Sequence, residues 1–430
     1  MDVSGDLTRA HEGGAPAALG AGAWRGLFLL TLIFTINSLD RSAMIVVIEP
    51  IKHEFHLKDS QLGLLTGLVF GATYAVFAIP LGALADRVNR RNLLAGLLAV
   101  WSLATIACGL ARNFAMLLGA RMLVGVAESG ASPASNSMIS DLFPPNRRAT
   151  AVAIFFLGPP VGATLSFLIG SAVAESFGWR MTFLLAGLPG VVLAALLPFI
   201  MRHPERGATD DAVQAEAAAA GTVLGGLRNL FANPALACVF IAITLSTLVT
   251  VSVSAWYASV LIREHALSLK EAGTAMALGT GVCGGIGVAL SGRIADGFTK
   301  GRTRGLLLFI SITLTLTLVF AVAAVASPVT WVAIAALCAF GVFHLAHLGP
   351  SFSVLLNTTP NRDRGVVVAA LQVSANFLGG GLGPWATGGL SDHFNGPNAL
   401  SHALLVVLPA LLVAVGLFLA ASRLVKAPAV

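Results

Sequence analysis

Four ionisable residues stand inside apolar runs, where a charge is costly: Asp40 and Arg41 within residues 24–48, and Arg121 and Glu128 in the run centred near Leu123. At helical spacing Asn37, Asp40, Arg41 and Met44 fall at i, i+3, i+4 and i+7 and share one face; Arg121, Gly125, Glu128 and Ser132 do the same. If both faces line a central cavity, two carboxylates meet two guanidiniums there. The chemistry expected of such a group is proton exchange linked to anion binding. In a low-dielectric cavity a carboxylate keeps its charge only while a cation stays close, so an anion that competes for Arg41 favours a proton on Asp40 or Glu128. The planar fork of Arg41 suits a phosphate or carboxylate, Asp40 and Glu128 are the expected proton carriers, and Arg121 either holds Glu128 or contacts the substrate. The plainer reading of Asp40 and Arg41 is a neutralised pair that only locks two helices together.

The elements that must carry these residues are membrane helices. At about 1.5 Å per residue, residues 26–48 cover roughly the 30 Å of bilayer hydrocarbon, with Asp40 well inside. A charge there costs on the order of 2.5 to 3.5 kcal/mol, so the pair must face protein or a watery cavity. The composition agrees: of 430 residues 56% are hydrophobic and 11% charged, against about a quarter charged in a soluble globule. Apolar runs of 20 or more residues without strand-length alternation exclude an outer-membrane barrel.

Twelve apolar segments divide six and six around one polar insert, giving an N-terminal tail 1–23, a first half 24–201, a linker 202–228, a second half 229–423 and a tail 424–430. The linker carries an Ala-rich acidic patch and a candidate interfacial helix. Assigning alternate loops to the two sides places 18 of the 26 basic residues on the side of the termini and 6 on the other, with Arg41 and Arg121 in the membrane. The positive-inside rule then puts both termini and the linker in the cytoplasm. The net charge of +6 reports this orientation and not affinity for nucleic acid. Cys108, Cys238, Cys283 and Cys338 all lie in apolar segments and read as packing residues, not disulfides or metal ligands. Residues 1–22 are polar and Gly/Ala-rich without a cleavable signal pattern, so the first membrane helix is expected to do the targeting.

The two halves repeat. Gly63, Gly67, Gly71 and Ala75 recur every fourth residue, and 210 positions on Gly273, Ala277, Gly281 and Gly285 keep the spacing. Such stripes let another helix backbone approach closely, here between helices that must slide. Pro145-Asn146-Arg147-Arg148 returns as Pro360-Asn361-Arg362, and Gly158-Pro159-Pro160-Val161-Gly162 has a loose echo in Gly383-Pro384.

After the first stripe comes Gly82-Ala83-Leu84-Ala85-Asp86-Arg87-Val88-Asn89-Arg90-Arg91, which resembles the loop motif G-x-L-A-D-R-x-x-R-R of the major facilitator superfamily. A degenerate copy, Gly292-Arg293-Ile294-Ala295-Asp296, follows the second stripe, and Arg121 with Gly125 resembles the superfamily's fourth-helix motif. The resemblance covers nearly the whole chain. It implies an all-α membrane protein of twelve transmembrane helices in two pseudo-symmetric six-helix halves, with substrate bound between them. It also implies that Gly82, Asp86, Arg87, Arg90, Arg91, Gly292 and Asp296 form a conformational latch, Asp86 pairing with basic groups and a helix N-terminus when the cytoplasmic end is closed.

A finer resemblance is to the spinster-like branch. It rests on Asp40-Arg41, Pro50, Phe55, Asp59-x-Gln61-x-Gly63-Leu64-Leu65, Tyr74, Pro80, Trp101-Ser102-x-Ala104-Thr105, Arg121-x-x-Val124-Gly125-x-x-Glu128 and Asp141-Leu142-Phe143-Pro144. Animal members of that branch are lysophospholipid and sphingosine-phosphate transporters. A similar Asp-Arg pair and fourth-helix Glu occur in symporters of sugar acids, which usually show Trp-Phe-Pro where this chain has Leu-Phe-Pro. The resemblance implies a proton-coupled secondary transporter of an amphipathic anionic lipid, working by alternating access as a monomer in a bacterial-type inner membrane. It needs no cofactor beyond the proton gradient.

The second half is built differently. Asp40 maps to Thr250, and Glu128 to Leu345 beside His344 and His347, so the coupling chemistry is confined to the first half. The second half is expected to give a milder wall: Thr250, Gln372 and Asn376, with Trp256, Tyr257 and Phe377 as apolar contacts. Tyr74 and His344 complete the expected substrate set, with Asn37, Arg41 and Arg121. Two histidines without a third ligand are weak grounds for a metal, and a hydrogen-bonded cavity pair or a structural role is the stronger reading. His53-x-x-His56 lies in an outer loop. No nucleophile with a paired base and no Walker-type loop is present, which argues against an enzyme or an ATP-driven pump. The competing expectation is a proton-linked symporter of small organic anions such as sugar acids. A non-transporting receptor or structural protein would need neither the latch motifs nor the buried charges.

Overall fold

The computed structural model describes residues 21–85, 87–202, 223–299 and 302–425. Asp86 of the expected latch lies outside the described residues, as do the side chain of Asp296 and most of both tails and of the linker. Among the described residues, twelve helices are long and apolar enough to cross a membrane: α1 Ala21–Val46, α2 Asp59–Ala85, α3 Arg90–Gly109, α4 Phe114–Leu142, α5 Thr150–Phe177, α6 Trp179–Ile200, α7 Pro234–Arg263, α8 Leu269–Ala295, α9 Thr303–Ala326, α10 Thr330–Thr358, α11 Arg364–Phe394 and α12 Ala399–Leu424. They are all helices because a backbone in lipid must satisfy its own hydrogen bonds. A further helix, Val223–Ala232, precedes α7 and is tied to the start of α11 by a 2.9 Å hydrogen bond from Asn229 Nδ2 to Asp363 Oδ2.

Helix starts are set by local chemistry. Asn89, Asn113 and Asn233 each accept a backbone N–H in the first turn of α3, α4 and α7, the usual use of Asn at an N-cap. Gly178, with φ of 85°, makes the tight turn between α5 and α6. Each half has its own interior, around Trp101, Leu98 and Val124 in the first and Trp256, Phe340 and Phe418 in the second.

The halves meet mainly where α2 packs on α11 and α5 on α8. These four helices share a wide π-type turn, at Leu64–Leu68, Ser166–Gly170, Ala277–Cys283 and Ala375–Leu382. The glycine stripes lie on these seams. A Cβ at Gly63 would lie 2.5 Å from the Pro384 carbonyl oxygen and one at Gly67 2.6 Å from that of Gly381, while Gly71 abuts the Asn376 carbonyl. On the other seam Gly273 abuts Ser171 and Gly281 abuts Thr164. The contact then fades: a Cβ at Gly285 would be 3.7 Å from Pro160, and among the described residues no atom of a neighbouring element lies within 4 Å of a Cβ placed at Gly82 or Gly292. Both seams are therefore closed at the apical end, where α1 stops, and parted at the basal end, where α1 starts.

The apical end is also held by charge. Arg263, the last residue of α7, binds Glu49 (Nε to both oxygens, 3.0 Å) and Asp59 (2.7 and 2.9 Å), and Ser391 Oγ donates to Asp59 Oδ2 at 2.8 Å. Lys52 Nζ reaches Asp59 Oδ1 at 2.5 Å. At the basal end, Arg90 pairs with Asp141 at 2.5 Å and donates to Ser137 at 2.7 Å, and Arg91 Nη1 donates to the Met201 carbonyl at 3.3 Å. These two arginines of the loop motif thus bind within their own half.

Candidate functional site

In the basal half of the bundle a cavity of about 230 Å³ opens between the halves. Its polar wall is Asn37 and Arg41 from α1, Glu128, Ser132 and Ser135 from α4, and Gln372 and Asn376 from α11; its apolar wall is Ile33, Phe34, Tyr74, Phe155 and Phe156. Phe34 stacks on Phe155 with centroids 4.5 Å apart, and Phe156 meets Phe34 edge-on at 5.8 Å.

Arg41 is the centre of the polar wall. Its Nε donates to Glu128 Oε2 at 2.7 Å, with the Glu128 side chain fully buried and that of Arg41 35% exposed. The guanidinium lies over the Phe70 ring at 4.3 Å and near Tyr74 at 5.3 Å. Such a cation stacked on a ring keeps its unused N–H groups free to point into the cavity. Arg121, which is buried, also approaches the Phe70 ring, at 5.6 Å. Gly125, between Arg121 and Glu128, abuts Thr73 and the Phe70 carbonyl, which brings α4 close enough to α2 for this arrangement.

Asp40 does not line the cavity, contrary to the expectation that the whole Asn37–Asp40–Arg41–Met44 face would. Arg41 and Asn37 point into the cavity, whereas Asp40 and Met44 are wholly buried in the first half. Trp101 and Thr105 of α3 are turned toward Asp40, and Arg121 and Glu128 lie within electrostatic reach. None of the described residues closes a hydrogen bond of normal length on either Asp40 oxygen, and Glu128 Oε1, Arg121 Nε, Trp101 Nε1, Ser102 Oγ and Thr105 Oγ1 are likewise without one. A buried polar cluster of this kind is expensive to keep without a function. The reason for the misplacement is rotational: residues i+3 and i+4 differ by about 100° around the helix, and packing against α3 decides which of them turns inward.

Of the second-half residues expected at the substrate, Gln372 and Asn376 line the cavity. Asn376 Nδ2 donates to the Gln372 backbone carbonyl at 2.8 Å, and Gln372 is exposed. Tyr257 is a correction: it is wholly buried and its hydroxyl donates to the carbonyls of Ala324 and Ala333, at 2.9 and 3.2 Å. Trp256 is corrected likewise, since its indole donates to the Pro384 carbonyl at 2.9 Å inside the α7–α11 contact. Thr250 bonds the Ser246 carbonyl and is buried. His344 stacks on Phe340 at 5.1 Å, and buried His347 shares a 3.3 Å contact with Ser246. None of Thr250, His344 or Phe377 is among the cavity-lining residues. Among the described residues no cluster of three metal-type ligands occurs.

Two features escaped the sequence reasoning. Phe70 carries the Arg41 stack, and the only sequence cue is an aromatic one turn before Tyr74. The Arg263–Glu49–Asp59 cluster could have been sought as opposite charges at helix ends on the sparsely charged side.

Two gated helical halves around a buried charged cavity define a transporter, not an enzyme. Residues 30–384 match the family model described as Major Facilitator Superfamily, and the chain belongs to that superfamily. It is 30% identical to an MFS-type efflux pump of Mycolicibacterium smegmatis over 90% of each chain, and 28% identical to the hexuronate transporter of Bacillus subtilis over 88% of this chain and 91% of that one. It is 32% identical to human protein spinster homolog 1 over 240 residues, spanning 55% of this chain and just under half of that relative. A bacterial homolog of the human lysosomal transporter spinster, solved in an inward-facing and unoccupied conformation, superposes with a TM-score of 0.84 at 26% identity, covering 97% of this chain and all of that one. The transporter is thus of the spinster-like kind.

Proposed function

We propose that the protein carries an amphipathic anionic lipid, of the lysophospholipid or sphingosine-phosphate class, in exchange with or alongside protons. The observation that carries this reading is that one cavity joins a stacked, partly exposed guanidinium to an aromatic wall. Arg41 takes the anionic headgroup, Asn37, Gln372 and Asn376 hydrogen-bond it, and Ile33, Phe34, Phe155 and Phe156 receive the start of the apolar chain.

The proton link follows from the Arg41–Glu128 contact. A substrate anion that draws Arg41 away leaves Glu128 buried with its charge uncompensated, and a proton on Glu128 removes that cost. Asp40, within electrostatic reach of Glu128 and away from the substrate, serves as the second proton position, with Arg121 between them in charge balance. In this reading Asp86, Arg90 and Arg91 belong to a basal latch that serves when the basal end closes. The excess of basic residues in the basal loops orients that end toward the cytoplasm of a bacterial cell.

A second reading has its own observation. The 28% identity to a hexuronate transporter extends over almost the whole chain, and a cavity of about 230 Å³ holds a sugar acid entire. Thermal-shift measurements on the purified protein with lysophosphatidate, sphingosine phosphate, lysophosphatidylcholine and glucuronate separate the two. Stabilisation by the lipid phosphates supports the first reading; stabilisation by glucuronate alone overturns it in favour of the second.

A further inference from the structure

The loop motif accounts for carboxylates at the basal ends of α2 and α8 only. At its apical end α11 closes with Gly388-Gly389-Leu390-Ser391-Asp392, which repeats the pattern of Gly82-Ala83-Leu84-Ala85-Asp86 with Gly389 in place of Ala83 and Ser391 in place of Ala85. The apical end of α5, 217 positions earlier, reads Ser171-Ala172-Val173-Ala174-Glu175. Each of these carboxylates sits on the N-terminus of a helix from the other half. Asp392 accepts the Asp59 N–H at Oδ1 (2.8 Å) and the Ser60 N–H at Oδ2 (3.0 Å), at the start of α2. Glu175 Oε2 accepts the Lys270 N–H at 2.7 Å, at the start of α8.

The two contacts are one contact made twice. Ser60 and Lys270 are 210 positions apart, the register of the glycine stripes. At each start the N3 side chain accepts the N-cap N–H, Gln61 from Lys58 and Glu271 from Ser268, and the Ser268 hydroxyl closes a full capping box at α8, so the carboxylates from the other half take N–H groups that remain over. Small residues bring the backbones together beside each: Gly388 abuts the Asp59 carbonyl, and Gly273 abuts Ser171.

We propose that Asp392 and Glu175 form an apical latch, the inverted counterpart of the basal loop motif. Each carboxylate compensates the positive end of a helix that belongs to the opposite half. That compensation exists only while the apical seams are shut, so the pair weights the equilibrium toward the basal-open state seen here. Opening the apical end exchanges two charge-assisted contacts for hydration, and the basal motif takes over the same task at the other end. The latch goes beyond the anion reading and does not depend on what is carried.

The test uses the full chain in nanodiscs, with its four cysteines replaced and spin labels on Arg112→Cys and Val329→Cys, exposed positions in the α3–α4 and α9–α10 connections. Pulsed distance measurements on Glu175→Lys/Asp392→Lys should show the apical-open population raised about tenfold, since each reversed charge turns attraction to a helix N-terminus into repulsion. Glu175→Gln/Asp392→Asn, which keeps an acceptor and drops the charge, should fall between this variant and the parent. If the Lys pair does not fold, the Gln/Asn pair decides. An unchanged distance distribution in a folded variant overturns the latch.

Discussion

Arg41 and Glu128 meet at 2.7 Å with unequal surroundings, the carboxylate sealed in the first half and the guanidinium stacked on Phe70 at the cavity edge. The exposed partner is the one an entering anion can reach, and the sealed partner is the one that suffers when the contact breaks. In the proposed mechanism, substrate binding and proton uptake are two consequences of one displacement.

Arg41→Lys keeps the charge and loses both the fork and the ring stack. Its affinity for a lysophosphatidate probe, measured by calorimetry, should fall by about tenfold or more, since hydrogen bonds to charged groups are worth on the order of 1.5 to 3 kcal/mol. Lysophosphatidylcholine, whose phosphate is offset by a cation, should lose less.

The glycine seams predict opposite outcomes at their two ends. Gly67→Val would drive a side chain into the Gly381 carbonyl and should destabilise the state seen here by about 1 to 3 kcal/mol, read as a lower melting temperature. Gly82→Ala, with open space around it, should leave the melting temperature unchanged. It should slow transport if the basal end closes over that position.

Removing Arg263 leaves the buried Glu49 carboxylate without its cation, while Asp59 keeps Lys52 and Ser391. Arg263→Gln should weaken apical closure by about 3 kcal/mol, in the range for breaking a buried ion pair from one side. Spin-label distances across the apical end check the direction, and Arg263→Lys should recover part of the effect.

At the apical surface Arg180 grips Glu54 at 2.5 and 2.7 Å, and the Trp179 indole donates to it at 2.7 Å. The Arg180 hydrogen bonds hold the Glu54 carboxyl below the usual glutamate range. A carboxylate lowered in the folded state stabilises it above the unfolded value, about 4.3, and loses that contribution as pH falls through the lowered folded value. The small cost of Glu54→Gln in melting temperature should therefore be fully present at neutral pH and fade in acid, as pH falls from about 4.3 through the lowered folded value.

Much of this was legible in the chain. Length and apolarity gave the helices, the 210-residue register gave the halves, and charges inside hydrocarbon pointed to Arg41 and Glu128. Helix rotation was not legible, because the face shared by Asn37, Asp40 and Arg41 spans more than the cavity wall, and contact with Trp101 and Thr105 turned Asp40 inward. Tyr257 was misplaced for a related reason: an aromatic with a polar tip reads as a cavity residue until the carbonyls of Ala324 and Ala333 are known to be within its reach. The stripes announced close packing but not the partner, since only the assembled bundle sets Gly63 on Pro384 and Gly273 on Ser171.

Lysophosphatidate uptake into proteoliposomes, measured with and without an imposed pH gradient, bears most directly on the Arg41–Glu128 displacement. Glu128→Gln should still bind and equilibrate the lipid while losing acceleration by the gradient, and Asp40→Asn should lose most of it. Full gradient dependence in both variants would contradict proton transfer at these carboxylates.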